Sequence, residues 1–333
     1  MGNIMSDNTY GVDPVLNINF DLEVEKITQQ MREILSKNLH RRGFVIAMSG
    51  GIDSSVCAAL AVQALGKKKV FGLLMPEKDS SSSSGDLGSL LANHLGIEHT
   101  VNNIAPTLDA IGCYQWRDDA IRQVFPEYTN EWKNKIVIVG GLNGQINHYN
   151  LVVENPHGER FEEMLPLKAY LTIVAATNHK QRIRKALEYF HADRLNYAVI
   201  GTPNRLEYDQ GFFVKNGDGA ADIKPISHLY KSQVYAMAKH LGLPDDICNT
   251  TPTTDTYSLE QGQDEFYFAL PYAKMDIALW YLNHGKTIQE LSEKLGISSD
   301  QASFIYKDIL AKRKTTKYLH LEPQLIEDNI IPT

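Results

Sequence analysis

The chain has 333 residues, with 33 Lys and Arg against 40 Asp and Glu, so its formal net charge is −7. A hydrophobic fraction of 43% with 22% charged residues excludes a disordered chain, and the acidic balance argues against a basic nucleic-acid-binding face. There is no apolar stretch of the ~20 residues that a membrane span needs, no secretory signal and no cysteine pair at CxxC spacing, so we expect a cytoplasmic protein without a disulfide framework.

Helical and apolar segments alternate from residue 22 onward. The spacing of apolar residues over 22–39 predicts an amphipathic helix, and the unbroken apolar run at 43–48 predicts a strand buried on both faces of a parallel sheet. A helix that ends at Gly66 follows, and two further apolar runs, at 69–76 and 97–104, flank another helix. This order is typical of right-handed βαβ crossovers. We therefore predict an α/β fold with a doubly wound parallel sheet.

The pattern changes between about 130 and 165. The apolar segments KIVIV and HYNLVVEN are separated by the polar stretch GGLNGQ and followed by the turn-prone NPHG. These features predict an antiparallel β-hairpin, which is foreign to a parallel sheet. We interpret it as an insertion that packs on the α/β body, joins a subunit contact or reshapes a substrate pocket.

Further helices are predicted near 178–193 and over 231–241, with a buried strand at 197–202 between them. The C-terminal segment 286–311 predicts two helices joined by a Leu-Gly-Ile turn. A helix-turn-helix that binds nucleic acid is the alternative interpretation, in which Ser299, Gln301 and Lys307 would face a DNA groove. Because the segment has few basic residues to contact phosphates, we favour two packing helices and no nucleic-acid partner.

The sequence SGGIDSS follows the first predicted strand and opens a helix. It consists of Ser49, Gly50, Gly51, Ile52, Asp53, Ser54 and Ser55. Adjacent glycines let backbone N–H groups approach an anion closely, and the helix N-terminus adds unpaired donors and a positive dipole end. The serine hydroxyls add donors, and Asp53 can hold a divalent metal against phosphate oxygens. The segment lacks the lysine of a Walker loop, and it predicts a phosphate-binding loop of another kind.

A second set of polar residues lies between 201 and 231. Gly201 and Thr202 end a predicted strand, which is where α/β enzymes place their ligands. Charged residues then alternate with glycines, as in a loop that closes over a polyanionic ligand. The charged candidates are Glu207, Lys215, Asp218, Asp222 and Lys231.

SGGIDSS resembles the loop of the ATP pyrophosphatase superfamily, whose fold is adenine nucleotide alpha-hydrolase-like. Within it, GTPNRLE, GFFVKNGDGAADIKP and the lysine that follows resemble NAD synthetase, as do MPEKDSSSSSGD and the segment at 251–265. The resemblance covers roughly 20–125 and 175–315. It implies an N-terminal extension over 1–20, a synthetase domain over 21–315 that carries the insertion and ends in C-terminal helices, and a tail over 316–333.

The resemblance also implies roles for individual residues. The ATP contacts would be Ser49, Gly50, Gly51, Ile52, Asp53, Ser54, Ser55, Thr202, Lys231 and Thr253. Asp53 and Glu207 would hold Mg²⁺. The contacts to deamido-NAD would be Arg182, Lys215, Asp222 and Lys312, and the catalytic residues would be Asp53, Lys215, Asp218 and Asp222. Ala311 stands where the family's tail has a histidine.

The implied activity is that of a ligase that forms a C–N bond. ATP would adenylate the carboxylate of deamido-NAD, and ammonia would displace AMP to give NAD. The resemblance implies a homodimer. Because only about 20 residues precede the first helix, we expect no amidase domain, and ammonia would be free or delivered by a separate partner. An amide ligase of the same mechanism that acts on another carboxylate is the alternative.

Overall fold

The computed structural model describes residues 11–80, 82–139, 148–251, 257–259, 262, 267–268 and 270–326. Seven strands lie within these residues: β1 (Phe44–Ala47), β2 (Val70–Leu74), β3 (Glu98–Val101), β4 (Lys133–Val139), β5 (His148–Glu154), β6 (Arg160–Met164) and β7 (Ala198–Val199). The α-helices of the same residues are α1 (Phe20–Glu33), α2 (Ile52–Leu65), α3 (Ser82–Leu95), α4 (Ala105–Ala110), α5 (Cys113–Arg122), α6 (Leu167–Leu195), α7 (Arg205–Gln210), α8 (Lys231–His240), α9 (Asp245–Cys248), α10 (Tyr272–Asn283), α11 (Ile288–Leu295) and α12 (Ser299–Thr316). None of the helices described has the length and apolar character of a membrane span.

A four-stranded parallel sheet in the order β3-β2-β1-β7 forms the body of the molecule. Alternate residues of β1 serve its two faces. Phe44 and Ile46 pack in a core with α1, α2 and α8, whereas Val45 packs in a second core with α4, α5 and α6. Because both faces are covered, β1 carries an unbroken apolar run. The predicted doubly wound α/β fold is confirmed.

Three of the predicted elements have different bounds in the structure. The first helix ends at Glu33 and continues as a π-helical turn over Ile34–Asn38. α6 begins at Leu167 rather than near 178 and runs for 29 residues. The strand predicted at 197–202 is shorter, with Ala198 and Val199 in register with Phe44 and Val45 of β1. Ile200 still donates its N–H to the Val45 carbonyl at 3.0 Å and bridges in parallel to Ile223.

The insertion is larger than the predicted hairpin. β4, β5 and β6 form a three-stranded antiparallel sheet, and the NPHG turn joins β5 to β6 instead of closing the structure. The predicted antiparallel pairing is confirmed for β4 and β5. The third strand was not predicted because β6, with the sequence RFEEM, is exposed at every position and carries no alternating apolar signal. The glycine-rich stretch 140–147 lies outside the described residues.

The C-terminal helices form a separate core with the segment that precedes α1. Val12 and Leu16 pack there against α10, and Leu291 of α11 and Ile305 of α12 are buried in the same core. Gln301, one of the proposed groove contacts, instead closes a capping box with Ser298 at the start of α12. The helix pair is therefore a packing element, as the sequence favours.

Candidate active site

A cavity of about 1640 Å³ opens at the carboxyl ends of the parallel strands. Its wall includes the loop between β1 and α2, the ends of β2 and β7, one side of α6 and the segment that follows β7. Parallel α/β sheets place ligands at this edge. The cavity is thus the candidate active site, and it contains most of the residues that the two sequence motifs nominate.

The glycine-serine loop has the local geometry of an anion cradle. Gly50 has φ +78°, which other residues adopt only with strain, and Gly51 is the N-cap of α2. The Ser49 and Ser54 hydroxyls lie 3.3 Å apart, and the loop from Ser49 to Ser54 lines the cavity. Ser55 differs because it is fully buried and does not line the cavity, although it donates its hydroxyl to the Gly51 carbonyl oxygen at 2.9 Å as Ser54 does at 3.0 Å. Ser55 therefore supports the loop from behind.

Asp53, Glu207 and Lys231 line the cavity beside this loop, and the buried Asn204 contacts both carboxylates. Lys231 begins α8, is only 1% exposed and forms an ion pair with Asp53. Burial would lower the pKa of Lys231, but the charges of Asp53 and Glu207 hold it above its usual value. Asn204 donates its side-chain amide to Asp53 Oδ1 at 2.9 Å and its backbone N–H to Glu207 Oε2 at 3.1 Å. The arrangement keeps one cation and two carboxylates together.

The two carboxylates fit a divalent cation. Asp53 and Glu207 both line the cavity, and both lie close enough to Cys57 for their charges to raise its thiol pKa, although burial raises it more. Hard cations such as Mg²⁺ take one or two protein carboxylates and complete their shell with water and phosphate oxygens. The described residues contain no group of three or more His, Cys, Asp or Glu that could hold a metal ion.

Asn204 is a site residue that the sequence reasoning missed. It is fully buried, and its side chain caps α7 by accepting from the N–H groups of Leu206 and Glu207. The signal was present in GTPNRLE, because Asn followed three residues later by Glu is a capping box. Asn204 thus caps the start of α7 and also donates hydrogen bonds to the carboxylates of Asp53 and Glu207.

A second charged group lies on α6 and reaches the same cavity. Lys185 and Glu188, which are 5% and 3% exposed, form an ion pair of 2.7 Å, and both line the cavity together with Asp218. Burial raises the pKa of Glu188 and of Asp218, and Lys185 counteracts both shifts. The sequence did not single out Lys185 or Glu188, because a charged pair at i, i+3 ordinarily marks a solvated helix face.

A buried ionic network fixes the loop after β2 at the cavity rim. Lys180 Nζ lies 3.0 Å from Glu77 Oε1 and also pairs with Asp79, which in turn pairs with Arg117. Tyr114 donates its hydroxyl to Glu77 Oε2 at 2.8 Å. Burial would raise the pKa of Asp79, but Lys180 and Arg117 lower it. Partners about 100 residues apart leave no local pattern, so this network was not predicted.

Two proposed substrate contacts, Arg182 and Lys215, do not line the cavity, and Lys215 contacts the C-terminal tail. Arg182 donates Nε to the backbone carbonyl of Lys215 at 3.2 Å. The Lys215 ammonium donates to the carbonyls of Tyr318 and Leu321 at 2.9 and 2.8 Å. Neither Arg182 nor Lys215 is among the residues that line the cavity of the glycine-serine loop.

The other proposed contacts have structural partners of their own. Asp222 Oδ2 accepts from the backbone N–H of Val199 at 2.7 Å, beside the end of the sheet. Lys312 donates to the carbonyl of Tyr267 at 2.6 Å and so reaches the cavity wall indirectly. Thr202 lines the cavity, as expected for a residue that follows a strand end. Thr253 lies outside the described residues.

Comparison with known proteins gives a consistent result. The family profile described as NAD synthase matches residues 23–126 and 145–318. A Rhizobium meliloti protein named NH(3)-dependent NAD(+) synthetase is 56% identical over 313 residues, which cover 94% of this chain and 93% of that protein. Two solved structures, each 23% identical, share the fold: an NMN synthetase from Francisella tularensis (TM-score 0.64, 94% of this chain and all of that one) and an NH3-dependent NAD synthetase from Campylobacter jejuni (TM-score 0.60, 93% and all).

Proposed function

Because the chain belongs to the NAD synthase family, we propose that it amidates deamido-NAD to NAD with ammonia, consuming ATP and releasing AMP and diphosphate. The observation that carries this proposal is the pairing of the glycine-serine loop with Lys231, Asp53 and Glu207 in one cavity. A loop with positive potential and a pair of carboxylates for a cation are the groups that activation by ATP requires.

The reaction needs activation because a carboxylate at neutral pH does not react with ammonia. The acceptor carboxylate oxygen attacks the α-phosphorus of ATP, the bond to the bridging oxygen breaks, and diphosphate leaves. The backbone N–H groups at the N-terminus of α2, which follows Gly50 and Gly51, stabilise the negative charge on the phosphates as that bond breaks. The Lys231 ammonium stabilises the same charge. Ammonia then attacks the acyl carbon, AMP leaves with the bonding electrons, and the nitrogen loses a proton to give the amide.

We propose Mg²⁺ as the cation and Asp53 and Glu207 as its protein ligands. Bound there, it would neutralise phosphate charge during adenylation. Asn204, which contacts both carboxylates, would keep them oriented toward the cavity. Partners of this kind usually affect metal affinity or activity by about 10-fold to 100-fold.

We also propose that the enzyme is a cytoplasmic homodimer that binds deamido-NAD near the subunit interface. Leu167 and Leu171, one turn apart on α6, are 71% and 54% exposed and so present neighbouring large apolar side chains at the surface. Arg182 and Lys215, the proposed substrate contacts, lie at the surface as well. Sedimentation at micromolar concentration measures the oligomeric state, and a monomer would contradict this part of the proposal.

The direct test is NAD formation by the purified chain from deamido-NAD, ATP, MgCl₂ and ammonium. We expect equimolar AMP and diphosphate, with free ammonia as the nitrogen source or a separate protein as its donor in the cell. Release of ADP and orthophosphate would refute the adenylation mechanism. A panel of other carboxylic acids, tested for diphosphate release, shows whether deamido-NAD is the preferred acceptor.

A further inference from the structure

A groove at the opposite edge of the parallel sheet is separate from the catalytic cavity. Arg42 stands two residues before β1, Lys69 directly before β2 and Tyr197 directly before β7, so the groove lies at the amino ends of three neighbouring strands. Its volume of about 650 Å³ is in the range of small-molecule sites. None of the described residues lines both this groove and the catalytic cavity.

Five cations line this groove and define it as the basic groove: Arg32, Arg41, Arg42, Lys68 and Lys69. Within the part of the chain that the structure describes, no Asp or Glu lines it, and none of the five cations forms an ion pair. Glu33, next to Arg32 in the sequence, is paired with Lys37 at 3.3 Å instead. Arg32 and Arg41 donate to backbone carbonyls at 3.4 and 3.5 Å, which leaves their charges without a counter-ion. The groove therefore carries uncompensated positive charge in a chain whose net charge is −7, and a bound anion would relieve the repulsion among its cations.

The backbone fixes the position of the two arginines that precede β1. After α1 the chain forms the π-helical turn Ile34–Asn38, and π-helical turns are rare and frequent at functional sites. The N–H of Arg41 donates to the Leu35 carbonyl of this turn at 3.1 Å, and the N–H of Arg42 donates to the Asn196 carbonyl at 2.9 Å. The segment is thus tied to α1 on one side and to the end of α6 on the other.

Gly43 allows an aromatic ring to lie against the backbone in the same place. A Cβ at Gly43 would lie 2.6 Å from Cζ of Tyr197 and would also clash with the Lys69 carbonyl oxygen. Tyr197 is half-buried and lines the groove together with Leu35 and Leu65. The basic groove therefore offers apolar surface beside its cations.

We propose that the basic groove binds a chain of two or more phosphates, either free polyphosphate or the phosphates of a nucleotide. Phosphate oxygens accept charge-assisted hydrogen bonds from guanidinium and ammonium groups. Five cations exceed the charge of about two that a single phosphate carries. The concave shape and the acidic net charge of the chain disfavour a nucleic-acid duplex or an anionic membrane, which the rest of the surface would repel. The site is independent of the proposed function.

Protection of individual lysines from acetylation tests the proposal at the groove itself. Lys68 and Lys69 are exposed, so their reaction with an amine-reactive ester can be followed by mass spectrometry with and without inorganic tripolyphosphate. At about ten times the Kd of tripolyphosphate, acetylation of both lysines should slow about 10-fold. Lys274 and Lys307, which are exposed and do not line the groove, should react at an unchanged rate.

Two double variants with the same change in net charge separate the groove from charge in general. Arg42→Gln/Lys69→Gln removes two groove cations, and Lys274→Gln/Lys307→Gln is the matched control. The Kd read from protection of Lys68 should rise about 10-fold or more in the groove variant and stay at the wild-type value in the control. The kcat for NAD formation and the Tm should be near wild type in both.

Equal weakening in the two double variants, or no protection of Lys68 and Lys69 by tripolyphosphate, would overturn the inference. Stronger protection by orthophosphate, a DNA duplex or anionic lipid vesicles than by tripolyphosphate would overturn it as well. ATP as a second probe distinguishes the two sources of the phosphate chain. Equal protection by ATP and tripolyphosphate would show that the phosphates alone are recognised, and tighter binding of ATP would show that the groove takes a nucleotide.

Discussion

Lys231 and Asp53 form an ion pair whose two members are unequally buried. The lysine side chain is 1% exposed and the aspartate 17%, and the aspartate also accepts a hydrogen bond from the side-chain amide of the buried Asn204. The Asp53 carboxylate can therefore turn toward a ligand. The buried charge of Lys231 depends on Asp53 as its counter-charge.

Unequal burial predicts unequal effects of mutation. Asp53→Ala leaves the Lys231 ammonium buried without its closest counter-charge and should cost about 3–5 kcal/mol of unfolding free energy. Lys231→Met should cost less, because Asp53 retains solvent and Asn204. Both variants should lose about 10²–10³-fold in kcat. Urea titration with the NAD assay checks this, and a larger stability loss in Lys231→Met would contradict it.

Glu207 combines a capping role with the proposed metal role, and Glu207→Gln separates them. The glutamine side-chain oxygen can still accept from the backbone N–H of Asn204, so the start of α7 should stay intact. Loss of the carboxylate should lower kcat by about 10²-fold and raise the Mg²⁺ concentration needed for half-maximal rate. Circular dichroism serves as the folding control. A wild-type Mg²⁺ requirement would remove Glu207 from the metal site.

Asn204→Ser tests the residue that links the two carboxylates. Serine is a good N-cap, so α7 should form normally, but its short side chain cannot replace the 2.9 Å amide contact to Asp53. We expect roughly a 10-fold fall in kcat/KM with little change in Tm. Asn204→Ala, which removes cap and contact together, should also lose about 1 kcal/mol of stability. Equal activity in the serine variant and wild type would assign Asn204 to capping alone.

Asp276 predicts a pH dependence of stability. It is fully buried, and burial raises its pKa from 3.8 to about 7 although Ser232 and the Lys231 N–H donate to it. Between about pH 4 and pH 7 the folded protein keeps a proton that the unfolded chain releases. Stability from this group is therefore complete below about pH 4 and is lost as the pH rises to 7, by up to about 4 kcal/mol. Asp276→Asn should lack this component in unfolding measured at several pH values.

The tail contact at Gly211 can be tested with a matched pair of variants. Gly211 has φ +72°, and a Cβ there would lie 2.3 Å from the Thr316 side chain. Gly242 has φ +68° with no atom within 4 Å of the same position. Backbone strain should lower the unfolding free energy of both alanine variants by about 1 kcal/mol. Only Gly211→Ala should increase the rate of proteolysis of the tail. Equal proteolysis rates in the two variants would contradict this contact.

The sequence predicted the parts of the site that rest on local chemistry. The glycine-serine loop and the parallel strands were found because backbone conformation and buried apolar runs leave a signature within a few residues. β6 was missed because its residues are exposed and charged. The ion pair of Lys180 with Glu77 joins residues 103 positions apart, and the spacing of residues in the sequence cannot predict such a contact. The position of Lys215 depends on the carbonyls of Tyr318 and Leu321, more than 100 residues downstream, which the motif did not contain.

The bonds from Asn134 to Ser258 and Leu259 have a consequence for redesign. The inserted sheet and the downstream segment 257–259 are hydrogen-bonded to one another, so removing either one would leave backbone groups of the other without these partners. A chimera that lacks the inserted sheet would lose the hydrogen bonds that hold residues 257–259. A chimera that transfers the inserted sheet and residues 257–259 together into a relative should transfer the part of the cavity wall that they line as well.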